Sequence, residues 1–113
     1  MLTSNRWAQS LTFTDPVGSS QRIDNPVGGY HATFEELINY TSAPLTVSIV
    51  VTGCMRGGTF GAVLDSNTTV LPAAIRGLII ASPPILYDYF DVRASWTGGT
   101  GVSITVNATV VNP

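Results

Sequence analysis

The sequence predicts an all-β domain, a two-sheet antiparallel sandwich, jelly-roll-like, with about eight short strands. Three observations predict it. Apolar residues alternate with Thr, Ser and Asn in several segments, the pattern of strands buried on one face and wet on the other. Clusters of Gly, Pro, Asn and Ser separate those segments at short intervals. No amphipathic helix of useful length occurs, which favours two packed sheets over an α/β layer.

Residues 7–14 read as an early strand, ended by Asp15-Pro16-Val17-Gly18, where Pro and Gly favour a turn over a continued ladder. Asn25-Pro26-Val27-Gly28-Gly29 repeats that chemistry, and the stretch between the two is expected to be loop. Residues 1–30 are accordingly read as able to form a partly extended N-terminal arm. Residues 31–40 are ambiguous. Thr33 and Glu36 fit a helix capping box, and Phe34, Leu37 and Ile38 have helical spacing. Their place among strands and the Thr-Ser-Ala-Pro that follows favour a strand, with a short helix as the alternative.

In residues 45–52, Leu45, Val47, Ile49 and Val51 alternate with Thr46, Ser48 and Thr52, and Val50 implies partial cover on the second face. Phe60, Ala62 and Leu64 share one face of the next segment. Residues 75–81 are apolar on both faces, so this strand is expected to be central or to lie in an interface. Phe90, Val92, Ala94 and Trp96 then alternate with Asp91, Arg93 and Ser95. Val102, Ile104, Val106, Ala108 and Val110 do so with Ser103, Thr105, Asn107 and Thr109. Thr97-Gly98-Gly99-Thr100-Gly101 joins these two strands and predicts a hairpin in which they pair.

A chain of 113 residues supports one core, so residues 1–113 are read as a single β-sandwich domain. Charged residues are only 11%, against 44% apolar, which excludes an intrinsically disordered chain. There is no lysine, and Arg6, Arg22, Arg56, Arg76 and Arg93 are scattered in a chain of net charge −2. Nucleic-acid affinity rests on clustered cations, so no nucleic-acid partner is expected. Cys54 is the only cysteine, so no internal disulfide can form. Residues 1–6 lack the basic flank and apolar run of a secretory signal, and a cytoplasmic site of synthesis is expected.

Chemistry is sparse. His31 is the only histidine, and its sequence neighbours supply neither nucleophile nor orienting acid, so no catalytic residue is assigned. Glu35 and Glu36 point to opposite faces of a strand, as do Asp88 and Asp91, and two oxygen donors are too few for a calcium site. The reading therefore includes no metal and no cofactor. The Gly-rich segment at 98–101 leads into a strand and not a helix, unlike a phosphate loop.

Residues 78–86, Leu-Ile-Ile-Ala-Ser-Pro-Pro-Ile-Leu, are apolar but too short and Pro-broken to cross a bilayer, and no membrane partner is expected. They supply the best interaction candidates, Leu78, Ile80, Ile85 and Leu86, together with Tyr87 and Tyr89, as aromatic and aliphatic anchors do at interfaces. The competing reading buries 78–81 in the core and lets Ile85 and Leu86 plug one end of the sandwich. Trp7 is a further interface candidate, whereas Trp96 is assigned to the core.

The segment Tyr87-Asp88-Tyr89-Phe90-Asp91-Val92-Arg93-Ala94-Ser95-Trp96, with the Gly-rich turn and the Thr/Val-rich final strand, resembles the end of small β-sandwich decoration or cement proteins of tailed bacteriophages. The resemblance spans roughly the last 70 residues. It implies a structural virion protein on the outside of an icosahedral shell, a homodimer or homotrimer that clamps neighbouring subunits of the major capsid protein. The rival readings are a tail or fibre component and a carbohydrate-binding module, the latter using aromatics among Trp7, Tyr30, Tyr40, Tyr87 and Tyr89.

Overall fold

Two antiparallel sheets face each other, and the described residues contain no helix. A computed structural model describes residues 5–29, 31–55, 61–67, 75–81 and 87–112, with 61–67 and 75–81 described as backbone. The strands are β1 (Asn5–Phe13), β2 (Val17–Asp24), β3 (His31–Asn39), β4 (Thr46–Cys54), β5 (Gly61–Asn67), β6 (Ile75–Ala81), β7 (Tyr89–Thr97) and β8 (Ser103–Asn112). One sheet has the order β1-β8-β3-β6 and the other β2-β7-β4-β5. Pairing is nested: β1 with β8, β2 with β7, β3 with β6 and β4 with β5. The β3–β8 and β4–β7 ladders close each sheet around its middle.

The core lies where the inner faces meet, and alternation decides what enters it. Phe13, Ala32, Phe34, Ile38, Ile104, Val106 and Val110 come from one sheet. Ile23, Val47, Ile49, Val51, Phe90, Val92, Ala94 and Trp96 come from the other. Burying each large aliphatic side chain contributes about 1.5–3 kcal/mol. Phe34 and Phe90 meet edge to face across the two sheets, with ring centroids 5.3 Å apart. Trp96 is buried, as its alternation predicts.

Residues 31–39 are a strand, the favoured reading. Its buried face carries Ala32, Phe34, Glu36 and Ile38, while Glu35 is exposed on the other face, where the Asn107 side-chain amide donates to it over 3.3 Å.

Four expectations need correction. Residues 19–24, expected to be loop, lie with Val17 and Gly18 in strand β2, paired with β7. Only Ile23 of that strand is buried, because β2 is the outer strand of its sheet and tolerates polar residues at most positions. Second, β7 and β8 do not pair; they lie in opposite sheets with their apolar faces opposed across the core. Their connection is an arch that docks on the one between β3 and β4: Thr41 and Ser42 N–H donate to the Thr100 carbonyl, and Thr100 N–H donates to that of Ser42. Gly99, at φ +76°, makes that approach possible, since a Cβ there would stand 2.7 Å from the Ser42 carbonyl oxygen. Third, Leu45 precedes β4 and is 78% exposed instead of joining Val47 in the core. Fourth, of the two places expected for residues 75–81, the centre of a sheet is excluded, because β6 is the outermost strand of its sheet.

Residues 5–24, within the stretch read as a possible arm, are β1 and β2 with the turn between them, and both strands pair inside the chain.

Candidate functional site

The described residues form a cleft where the outer strands of the two sheets come together. β1 belongs to one sheet and β2 to the other, so no ladder joins them there, and two glutamine side chains do so instead. Gln9 Nε2 donates to the Arg22 carbonyl over 2.8 Å, and Gln9 Oε1 accepts from Asp24 N–H at 3.0 Å. From the opposite strand, Gln21 Nε2 donates to the Thr12 carbonyl over 2.7 Å. Each side chain replaces a missing backbone partner.

Trp7 stands above this seam. Its indole N–H donates to Gln9 Oε1 at 3.1 Å, and its ring is half-buried against the core. Arg22 and Asp24 alternate outward along β2, where Arg22 Nε donates to Asp24 Oδ1 over 3.1 Å. Their side chains are 53% and 54% exposed, so the pair adds at most about 1 kcal/mol to stability and chiefly fixes geometry. The Arg22 guanidinium also lies 3.9 Å from the Tyr89 ring centroid, a cation–π contact that holds it from the other side.

The floor of the cleft is a locked turn. Asn25 Nδ2 donates to the carbonyls of Gly29 (2.8 Å) and Tyr87 (2.7 Å), while its Oδ1 accepts from Gly29 N–H at 2.8 Å. Trp7, Arg22, Asp24, Asn25, Pro26 and Asp88 enclose about 240 Å³. A second hollow of about 300 Å³, lined by Pro16, Trp96 and neighbouring residues of β4 and β7, presents mainly apolar surface and backbone.

The interface candidates separate in space. Trp7 is in the cleft. Tyr87 packs inward, its ring against Gly53 and 5.9 Å from that of Phe90. Tyr89 is half-buried under Arg22. Leu78 and Ile80 stand on β6 in register with Phe34 and Ala32, the buried positions of β3, whereas Ile79 is in register with exposed Thr33. Ile85, Leu86 and Tyr30 lie outside the described residues. Tyr40 is partly buried against the core.

Sequence reasoning missed Gln9, Arg22, Asp24 and Asn25. The signal is present in Arg22 and Asp24, two apart and hence on one face of a strand, but it is hidden where residues 19–24 read as loop. His31 opens β3 in register with Ala81 and Val111. Among the described residues, no group of three or more His, Cys, Asp or Glu is placed to hold a metal ion, and no helix is long and apolar enough to cross a membrane.

No protein-family model matches this chain, and no curated protein matches it.

Proposed function

We propose that this chain is a structural virion protein, a capsid decoration or cement protein that binds the outside of a major capsid shell and stabilises contacts between neighbouring subunits. The observation that carries the assembly reading is the place of β6. Its sequence, Ile-Arg-Gly-Leu-Ile-Ile-Ala, is that of a buried strand, yet it is the outer strand of its sheet and pairs with β3 alone among the described residues. An outer strand presents a row of backbone donors and acceptors, and monomeric proteins blunt such edges with charges, proline or bulges. β6 carries one charge, Arg76, in register with buried Glu36, and places Ile79 in register with the exposed Thr33. An edge of that composition suits strand addition by another chain.

In this reading β6 joins a second copy of the chain, as a homodimer or homotrimer, and the oligomer faces the major capsid protein. It works by binding, with no cofactor, nucleic acid or membrane, after synthesis in the host cytoplasm. The nested strand order supports assigning the sandwich to the eight-stranded jelly-roll type, an architecture that recurs in viral capsid and lectin domains.

Sedimentation tests the proposal. The purified protein is expected to form a discrete oligomer and to co-sediment with capsids stripped of it, and Ile79→Lys is expected to abolish both while the monomer stays folded. A wild-type monomer that remains in the supernatant would overturn the reading.

A further inference from the structure

We propose that the cleft at Trp7, Arg22 and Asp24 is a binding subsite for one neutral hexopyranose ring. Three features of the cleft point to that ligand class.

The first is the aromatic wall. The indole N–H of Trp7 is already taken by Gln9 Oε1, so what the residue offers a ligand is its ring, held at a fixed angle by that bond and by packing on the core. A pyranose has an apolar face of C–H groups that stacks on such a ring, and the polar end of the indole is not needed for it.

The second is the donor and acceptor set. Each sugar hydroxyl both donates and accepts, so two neighbouring hydroxyls are matched by a guanidinium beside a carboxylate. Arg22 and Asp24 supply that combination. Only Nε of the guanidinium and Oδ1 of the carboxylate join the two, and both side chains are about half exposed to the cleft and solvent. Tyr89 under Arg22 and Gln9 on the backbone of residues 22 and 24 keep the pair in place before any ligand arrives. Such preorganisation reduces the cost of binding.

The third is size and charge. A volume of about 240 Å³ lies below the ~300–1,000 Å³ typical of sites for drug-sized ligands and leaves room for a single ring. Arg22 and Asp24 at its rim offset each other's charge, which suits a neutral sugar.

The inference is independent of the capsid proposal, because it uses β1, β2 and the turn at Asn25 and not the β6 edge. The test is titration of the full chain with glucose, galactose, mannose and N-acetylglucosamine, read by the ¹H–¹⁵N signal of the Trp7 indole N–H. That signal is assigned as the one of two lost in Trp7→Phe, since Trp96 supplies the other. At least one sugar is expected to shift it saturably with a Kd of about 1–10 mM, the range open to so small a ligand. Asp24→Asn, at a solvent-facing position, is expected to keep the fold and weaken binding about tenfold, the loss typical of a charge-assisted hydrogen bond. Three results would overturn the proposal: no saturation by any of the four sugars at about 100 mM, unchanged affinity in Asp24→Asn, or saturation by tetramethylammonium and not by a sugar.

Discussion

Glu36 explains why β3 was the hardest strand to read. It occupies an inward position between Phe34 and Ile38, so the apolar alternation breaks where the strand is most buried, and the surviving Phe34, Leu37 and Ile38 mimic a helix. Gln9 has the opposite character: a polar residue whose position in sequence says nothing, yet whose side chain joins β1 to β2 and orients Trp7. Gln9→Ala removes three hydrogen bonds and is expected to cost about 1–3 kcal/mol, measurable by urea denaturation. Phe34→Ala, at a fully buried site against Phe90, is expected to cost about 3–5 kcal/mol by the same method. Two glycines with positive φ separate strain from crowding. Gly28 has open space around its missing Cβ, whereas Gly99 faces the Ser42 carbonyl and the Pro44 backbone within 3 Å. Gly28→Ala is therefore expected to cost only about 1 kcal/mol, the conformational part alone, and Gly99→Ala clearly more.

At the scale of elements, alternation was legible and pairing was not. Phe90 to Trp96 and Ile104 to Val110 disclose which faces of β7 and β8 are buried, and those faces are buried against each other. Two strands with matching apolar faces and a glycine-rich link look the same in sequence whether they lie side by side or face to face. The difference rests in Thr100 bonding to Thr41 and Ser42, a contact across some sixty residues of chain. β2 was missed because an outer strand with one buried residue has almost no apolar period. Of the cleft, Trp7 was legible as an aromatic outside the clearest core, but Arg22 and Asp24 gained meaning only once β2 was a strand. Hydrogen exchange should reproduce the hierarchy. β8, bonded on both sides by β1 and β3, is expected to exchange at the slow, global limit, and Val17 to Ser20, where the β2–β7 register shifts, among the fastest of the strand amides.

For the whole molecule, the nested order brings the first strand to the last and leaves β4–β5, among the described residues, as the sole ladder between consecutive strands. Contacts so distant in sequence make loop closure expensive, so folding is expected on the millisecond-to-second scale of other sandwiches, by stopped-flow tryptophan fluorescence. The same order gives the molecule two unlike regions: the seam of β1 and β2, stitched by side chains around a polar cleft, and the far edge at β6, apolar in sequence and, among the described residues, bonded on one side. The first is where we propose a small ligand and the second where we propose another protein chain. The proposed assembly role is tested most directly by cryo-electron microscopy of virions from the source of this sequence. The account predicts symmetric copies outside the shell, joined to one another through β6 and bridging neighbouring major capsid subunits; virions whose shells lack the protein would contradict it.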